Sequence, residues 1–389
     1  MKKIAVFTGT RADYGLLRPL IHRIAIDENM DLSIIVTGTH LEKSYGETKQ
    51  EIIADGFSNL CEVPMNLSDT SVKGTIHSMA KEMDGLAEAY AKIHPDMIVI
   101  LGDRYEAAVA ALVAAMYQIP IAHIHGGEKT EGAVDDALRH AITKLSMLHF
   151  TSTEEYRRRV IQMGEPPERV WNVGALGVEN IKSLHLMSRE ELCDKFGSIF
   201  SMQYFMITYH PVTTEPHTAV MKMKLLLESL QPFREYRFIF TYANADPEGD
   251  FVNQQIRSYV NKNPEQSSAF ASMGQLGYLS ALRYATLVYG NSSSGIIEAP
   301  SFHIPTVNVG TRQVGRVHGD SVITCLDTKA AMENALRQAL SKAFRSLCKQ
   351  AANPYEKDGT SERILQEIKK LFREKNTTSK KFFDIQIPF

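Results

Sequence analysis

Residues 97–124, "MIVILGDRYEAAVAALVAAMYQIPIAHI", contain two short apolar runs on either side of a longer one. The short runs, 97–101 and 119–124, predict strands, and the stretch 104–117 between them predicts a helix. A strand, a helix and a second strand in this order are typical of a parallel βαβ unit. Strands of such a sheet are covered on both faces, which explains why both short runs are almost continuously apolar.

The same alternation extends over most of the chain and predicts two parallel sheets. Further strands are expected at 3–8, 32–37 and 147–151, with helices at 14–26 and 72–93. A second series begins near residue 204 and gives strands at 204–209, 236–241, 285–289, 304–309 and 321–326, with helices at 217–230, 275–284 and 328–345. The pattern turns polar around 177–200, so we predict an α/β protein of two doubly wound domains.

Composition narrows the class of protein. The 389 residues are 44% hydrophobic and 23% charged, which is typical of a soluble globular protein. The net charge of -2 gives no electrostatic reason to expect nucleic acid or an anionic membrane as a partner. The start "MKKIAVFTG" contains no signal-peptide core, and the four cysteines show no C-x-x-C spacing. We therefore expect a cytoplasmic protein without disulfides or a cysteine zinc site.

Polar motifs follow three strands of the first series, where parallel sheets bind their ligands. "GTRADYG" at 9–15 places Arg11 beside a helix start, but it is not the G-x-G-x-x-G pattern of NAD-binding proteins. "GDRYE" at 102–106 places Asp103 and Arg104 at the end of a buried strand. Asp103 either caps the following helix or serves as an acid or base in the ligand crevice.

The third motif, "HIHGGE" at 123–128, concentrates His123, His125 and Glu128 beside two glycines. The two histidines alternate along one strand and so share a face, and Asp135 begins the next helix. A metal site, a helix-capping Asp135 with an exposed Glu128, and an acid–base cluster are all compatible with this pattern. No further ligand spacing supports the metal, and we favour the acid–base interpretation.

Two motifs of the second series point to an anionic ligand. "YHPVTTE" at 209–215 places His210 at a strand exit, as a ligand-facing group or as an ordinary loop residue. "GNSSSG" at 290–295 supplies three hydroxyl groups, Ser292, Ser293 and Ser294, at a predicted helix start. A helix start binds anions, and Arg312 and Arg316 follow in "GTRQVGR". These residues fit a diphosphate better than a serine-capped helix that binds nothing.

Taken in order, these six motifs resemble the hydrolysing UDP-N-acetylglucosamine 2-epimerases of sialic acid synthesis, a family similar to this chain from about residue 3 to 320. The resemblance implies a GT-B-like fold, two Rossmann-like domains facing a central cleft. The expected domains are residues 1–178 and 179–360, with a C-terminal helix at about 361–375 returning to the first. It also implies a UDP-sugar substrate, no cofactor, no metal and a homodimer or homotetramer.

Carried over position by position, the resemblance implies roles for individual residues. The UDP-binding set is expected to be Arg11, Arg104, Ser292, Ser293, Ser294, Glu298 and Arg316, with Glu298 accepting hydrogen bonds from the ribose. The catalytic set is expected to be Asp103, Glu128, Asp135, His210 and His125. Non-hydrolysing relatives and the animal enzyme have glutamate at the position of His125, so which group acts at sugar C2 stays open.

The implied reaction converts UDP-N-acetylglucosamine and water to N-acetylmannosamine and UDP through a 2-acetamidoglucal. Three enzymatic alternatives share the same motifs. They are a hydrolysing 2-epimerase of a UDP-2,4-diacetamido-2,4,6-trideoxy sugar, a non-hydrolysing 2-epimerase and a GT-B glycosyltransferase. A non-catalytic nucleotide-sugar sensor is disfavoured, because binding UDP requires none of the carboxylates at 103, 128 and 135.

Overall fold

The computed structural model describes residues 1–43, 46–69, 71–130, 134–212, 214–243, 248–374 and 380–385. The chain forms two compact units. The first consists of Met1–Glu128, Asp135–Asn180 and Lys357–Phe389, and the second of Lys129–Val134 and Ile181–Glu356. The second unit therefore interrupts the first in sequence.

The first unit is built on a seven-stranded parallel sheet with the order β3-β2-β1-β4-β5-β6-β7. Its strands are β1 Lys2–Thr8, β2 Met30–Val36, β3 Leu60–Glu62, β4 Met97–Leu101, β5 Ile121–Ile124, β6 Leu148–Thr151 and β7 Val170–Asn172. The helices of this part of the chain are α1 Arg11–Ala25, α2 Lys49–Ala54, α3 Val72–Ile93, α4 Tyr105–Met116, α5 Asp135–Leu145, α6 Glu154–Gln162 and α7 Leu176–Ser183.

The second unit repeats this arrangement with a six-stranded parallel sheet of order β10-β9-β8-β11-β12-β13. Its strands are β8 Tyr204–Thr208, β9 Arg237–Thr241, β10 Ser267–Phe270, β11 Leu287–Gly290, β12 Thr306–Val309 and β13 Val322–Cys325. Its helices are α8 Arg189–Phe196, α9 Ala219–Ser229, α10 Gly249–Lys262, α11 Gly274–Tyr284, α12 Ser294–Ile297, α13 Lys329–Leu340 and α14 Lys342–Cys348. The predicted fold class, two parallel-sheet Rossmann-like domains, is confirmed.

Both sheets reverse their strand order at one point, and this point decides where a ligand can bind. In the first sheet the reversal lies between β1 and β4, and in the second between β8 and β11. The connections leaving such a pair of strands run to opposite faces of the sheet, which opens a crevice at their carboxyl ends. The loops after these four strands carry Arg11, Asp103, His210 and Ser292.

The last helix, α15 Thr360–Leu371, belongs to the first unit. Its apolar residues Ile364, Ile368 and Leu371 are fully buried in the cluster formed by α1 and one face of the sheet. Polar bonds fix both ends of the contact: Arg23 donates to the Ser361 hydroxyl group at 2.8 Å, and Lys369 bonds Asp27 at 2.6 Å. The helix therefore completes a core whose other members lie at the N-terminus.

The structure corrects the expected elements in two respects. The helix expected at 328–345 is two helices, because the backbone at Ser341 is extended and its hydroxyl group caps α14 through the Phe344 amide at 3.2 Å. Three short strands, β3, β7 and β10, were not predicted, and all three lie at sheet edges.

Candidate functional site

In the first unit, the turn after β4 presents Asp103 and Arg104. Gly102, with φ +80°, turns the chain, and its amide donates to the Ile124 carbonyl group at 3.0 Å. Arg104 occupies the N-cap position of α4, and its side chain makes no capping hydrogen bond. Asp103 is therefore not the helix cap, which was the structural alternative for this residue; its carboxylate instead accepts a hydrogen bond from Arg139.

Arg139 of α5 lies at the centre of a set of acidic residues, here called the acidic group, which are Asp103, Glu128, Asp135 and Asp136. Its side chain is only 2% exposed, and beside Asp103 it bonds the Glu128 carbonyl oxygen at 2.8 Å and the Asp136 carboxylate at 3.3 Å. Asp135 precedes Asp136 in the first turn of α5. A buried guanidinium group must be paired, so one side chain fixes the ends of β4 and β5 and the start of α5 together.

The turn after β5 brings His125 and Glu128 together. His125 has φ +67°, and its Nδ1 lies 3.5 Å from Glu128 Oε1. That same oxygen accepts a hydrogen bond from the Ser152 hydroxyl group at 2.7 Å. Glu128 is only 2% exposed, so the alternative of a solvent-exposed Glu128 is wrong. Gly127, with φ +78°, must be glycine, because a Cβ there would lie 2.5 Å from the Tyr156 carbonyl oxygen.

His123 is a structural residue and not a partner of His125. Its Nε2 lies 2.8 Å from the Gly102 carbonyl oxygen, and its Nδ1 lies 3.2 Å from the Thr143 hydroxyl group of α5. Burial lowers the pKa of His123 to about 3, so the ring is neutral. Among the described residues, no three His, Cys, Asp or Glu side chains are grouped so as to hold a metal ion.

A second set of charged side chains, Asp13, Arg104 and Glu106, lies after the carboxyl ends of β1 and β4. Arg104 bonds the Glu106 carboxylate through Nε at 3.2 Å and Nη2 at 3.1 Å, and Glu106 is only 1% exposed. Burial raises the pKa of Asp13 to about 6, although the Arg104 guanidinium opposes this shift. Arg11 is the first residue of α1, the helix that follows β1 and also contains Asp13. The sequence analysis identified Arg11 and Arg104 but missed Asp13. The sequence indicated Asp13 only through its place as an acidic residue in the first turn of a helix.

In the second unit, residues 291–294, here called the serine turn, follow β11 directly. Gly290 has φ +132°, and any Cβ there would overlap the Thr208 carbonyl oxygen, so only glycine fits. α12 begins at Ser294 and has four residues. Ser293 occupies its N-cap position without a side-chain cap bond, and the Ser294 amide lies 3.4 Å from the Ser292 hydroxyl group. The structural alternative for this motif was a serine-capped helix; Ser293 does not cap α12, whereas the Ser292 hydroxyl group accepts a hydrogen bond from the amide of its first residue.

Asn291 joins three loops and was missed by sequence reasoning. Its side chain accepts from the His210 amide at 2.7 Å and donates to the His210 carbonyl group at 2.8 Å. Its own carbonyl oxygen accepts from Arg312 at 3.1 Å and from Gln313 at 2.8 Å. The position of His210 thus depends on Asn291. In the sequence, the only indication of this role was an Asn inside the motif "GNSSSG".

Glu298 lies behind the serines, after α12. Burial raises the pKa of this carboxyl group, and the neighbouring Ser294 hydroxyl group lowers it in part. Burial and the charge of Glu298 also raise the pKa of Tyr278.

The loop 310–316 is held by a buried ion-pair network. Lys222 is 8% exposed and bonds the carboxylates of both Glu215 and Asp327, and Thr311 donates to Glu215 at 2.6 Å. Burial would lower the pKa of Lys222, but the two carboxylates raise it. At the end of this loop, Arg316 donates to the Thr130 hydroxyl group at 3.3 Å.

In the part of the chain that the structure describes, no helix is long and apolar enough to cross a membrane. The expected site residues fall into two groups. In the first unit, Arg139 contacts Asp103 and the Glu128 carbonyl group, His125 contacts Glu128, and Asp135 begins the helix that carries Arg139, while Arg11 and Arg104 lie at the strand-order reversal. In the second unit, His210 follows β8, the three serines and Glu298 follow β11, and Arg316 follows β12.

Residues 22–369 match the family described as UDP-N-acetylglucosamine 2-epimerase. The chain is 38% identical to the polysialic acid biosynthesis protein P7 of Escherichia coli, over 99% of this chain and 98% of that protein. It is 37% identical to the GDP/UDP-N,N'-diacetylbacillosamine 2-epimerase (hydrolyzing) of Campylobacter jejuni, over 88% and 89% of the two chains.

Solved structures show the same fold. The UDP-GlcNAc 2-epimerase of Neisseria meningitidis, solved with bound UDP-GlcNAc, superposes with a TM-score of 0.80 at 17% identity, over 95% of this chain and all of that one. The two parallel-sheet domains of this chain thus have the GT-B-like arrangement of elements found in such enzymes. From the family match and the curated relatives together, the chain belongs to the UDP-N-acetylglucosamine 2-epimerase family.

Proposed function

We propose that this protein is a hydrolysing 2-epimerase that converts UDP-N-acetylglucosamine and water to N-acetylmannosamine and UDP. The observation that carries the proposal is the set of contacts of Arg139, which bonds the carboxylates of Asp103 and Asp136 and the backbone carbonyl group of Glu128 at adjoining strand ends, next to Asp135 at the start of α5. Binding a nucleotide sugar needs no such group, whereas moving protons at a sugar carbon does.

The first half-reaction removes UDP and the C2 proton. The electrons of the C1–O bond leave with the diphosphate, which gives C1 oxocarbenium character and makes the C2 proton acidic. A base takes that proton, and a 2-acetamidoglucal remains. In our proposal Arg11, Arg104, Arg316 and the serine turn stabilise the charge that grows on the departing diphosphate, and Glu298 accepts hydrogen bonds from the ribose.

The second half-reaction adds water. Hydroxide becomes bonded to C1 and a proton returns to C2 from the opposite face, which gives the manno configuration. Inversion needs groups on both faces of the ring or movement of the glycal. We assign proton transfer to Asp103, Glu128 and Asp135, with His125 as the competing candidate at C2 and His210 beside the phosphates and sugar.

His125 and Glu128 are the candidate acid–base pair because their side chains are in contact. Imidazole Nδ1 and carboxylate Oε1 are 3.5 Å apart, and the carboxylate is held from the other side by Ser152. A carboxylate in this position orients an imidazole ring and stabilises its protonated form.

A second candidate substrate follows from the relatives. The Campylobacter relative is named for hydrolysing 2-epimerisation of N,N'-diacetylbacillosamine linked to GDP or UDP. A Legionella pneumophila relative, 36% identical over 95% of this chain, is named for the UDP-linked sugar. The alternative is thus a UDP-sugar with a second acetamido group at C4 and no hydroxyl group at C6.

Product analysis tests the proposal. The purified protein is incubated separately with UDP-N-acetylglucosamine and with UDP-N,N'-diacetylbacillosamine, without acceptor, and the products are followed by proton NMR. We expect UDP and free N-acetylmannosamine from the first, with deuterium at C2 when the solvent is D₂O. Faster turnover of the second substrate would select the alternative.

Two other products would contradict the hydrolysing reaction. UDP-N-acetylmannosamine formed without release of UDP identifies a non-hydrolysing epimerase. Turnover only after an acceptor sugar is added identifies a glycosyltransferase. Asp103→Asn serves as the matched control, because it keeps the shape of the side chain and removes its charge.

A further inference from the structure

The C-terminal tail contacts the end of α5. Lys380 Nζ donates to the carbonyl oxygens of Lys144 at 2.7 Å and Ser146 at 2.8 Å, with that of Thr143 at 3.4 Å. The last carbonyl groups of a helix have no partner within it, and a cation there is favoured. Lys380 therefore acts as a cap supplied from the far end of the chain.

Lys380 is also bound to a buried carboxylate. Its Nζ lies 2.7 Å from Glu165 Oε2, and Glu165 accepts further bonds from His149 at 2.9 Å and Lys144 at 2.6 Å. Burial alone would raise the pKa of Glu165, but the bonds from His149 and the two lysines lower it to about 2. The carboxylate is thus a fixed negative anchor for the tail.

A second anchor lies two residues further on. The Phe383 amide donates to the Gly164 carbonyl group at 2.9 Å, and the Phe382 ring packs so closely on Gly164 that it would have to shift to admit a Cβ there. Lys144 Nζ lies 4.8 Å from the centre of the same ring. Residues 380–383, here called the tail clamp, therefore bind the C-terminal end of α5 and Gly164, the second residue after α6.

The helix that the clamp holds carries the acidic group. α5 begins at Asp135 and contains Arg139, which bonds Asp103 and the Glu128 carbonyl group. Toward its end, Thr143 contacts His123, and His123 contacts the carbonyl group that precedes Asp103. A shift of α5 along its axis would therefore move Arg139 and Asp135 relative to the ends of β4 and β5.

We propose that the tail clamp sets the position of α5 and that Lys380 is a positioning residue for the acidic group at the other end of this helix. The inference rests on the proposed function in so far as that group moves protons. Lys380 touches neither Asp103 nor Asp135, and its effect passes through the helix.

The test compares Lys380→Met with Lys381→Met in the full-length protein. Lys381 is the adjacent lysine and is exposed, so its loss controls for charge and for tail composition. We expect Lys380→Met to speed amide hydrogen exchange in α5 and to lower kcat by about 10-fold or more. A small misplacement of a catalytic group can cost roughly 10²-fold, which bounds the effect. UDP affinity should not change, and Lys380→Arg should restore kcat in part.

Several results would overturn the proposal. One is Lys380→Met with wild-type exchange in α5 and wild-type kcat. Another is a lower melting temperature with kcat unchanged, which would make the clamp purely structural. If neither UDP-sugar is turned over by the wild-type protein, the proposed function fails and exchange in α5 alone decides whether the clamp exists. A cooperative thermal unfolding transition shows that the variant is folded.

Discussion

Replacing Arg139 by methionine is the most direct probe of the acidic group. Methionine is unbranched and apolar, so it replaces the aliphatic part of the arginine side chain and removes the polar contacts of the guanidinium group, including those with Asp103, Asp136 and the Glu128 carbonyl oxygen. Removing one partner of a buried ion pair costs roughly 3–5 kcal/mol. The Asp103 and Asp136 side chains are 23% and 24% exposed and can be hydrated. We therefore expect a loss of about 3 kcal/mol in the free energy of unfolding, at the low end of that range.

The effect on turnover should be larger than the effect on binding. Without Arg139, Asp103 loses the group that fixes its orientation, and kcat should fall by about 10²-fold, as expected for a misplaced catalytic group. UDP affinity should stay near the wild-type value, because the proposed diphosphate site includes the serine turn and the loop 310–316 of the second unit. Turnover is measured as UDP release, affinity by calorimetric titration and stability by urea unfolding.

A matched control comes from the same protein. Arg158 of α6 is 79% exposed, and Arg158→Met should leave stability and kcat unchanged. If Arg139→Met keeps wild-type kcat while Asp103→Asn does not, the orientation of Asp103 does not depend on Arg139. If UDP affinity and kcat fall together by the same factor, the residue supports ligand binding and our reasoning about proton transfer is wrong.

Three further predictions concern single residues. Glu82 is buried with neither carboxyl oxygen hydrogen-bonded, and burial with the nearby Glu106 raises its pKa to about 10. The folded protein therefore keeps a proton that the unfolded chain releases, and unfolding free energy falls as pH rises from about 4.5 to about 10. Glu82→Met should raise stability by roughly 1–3 kcal/mol at pH 8 and by less at pH 5, measured by urea unfolding. Arg316→Ala should weaken UDP binding by roughly 1.5–3 kcal/mol in calorimetry; an unchanged affinity removes Arg316 from the site. Glu128→Gln should lower kcat by about 10²–10⁴-fold with UDP affinity retained; wild-type turnover in this variant, with loss in His125→Ala, would assign the proton to the imidazole.

The strands that the sequence did not reveal share a position. β3, β7 and β10 have three or four residues and lie at sheet edges, where part of each strand faces solvent. An edge strand needs no continuous apolar run, so it has little signal in composition. The interior strands, which are mostly apolar because helices cover both faces, were recognised from sequence alone.

In the site, too, residues marked by a local sequence pattern were predicted, whereas residues whose partners lie far away in the sequence were not. The motifs at strand exits were visible because glycines and charged residues follow an apolar run directly. Arg139 was not recognised, because an arginine on a polar helix ordinarily faces solvent, and its partner Asp103 is 36 positions away. Asn291 binds the backbone of His210, 81 positions distant, and no local pattern indicates such a pairing.

Because the first unit is discontinuous in sequence, its last segment is synthesised only after the second unit. Residues 357–389 belong to this unit, but the ribosome produces them only after residues 181–356. At about 5–20 residues per second, the delay is of the order of ten seconds or more. During that time the α1 surface that receives Ile364, Leu365, Ile368 and Leu371 lacks its cover. A nascent chain stalled before residue 357 should therefore expose this apolar surface to chaperones, whereas its second unit has already been synthesised in full.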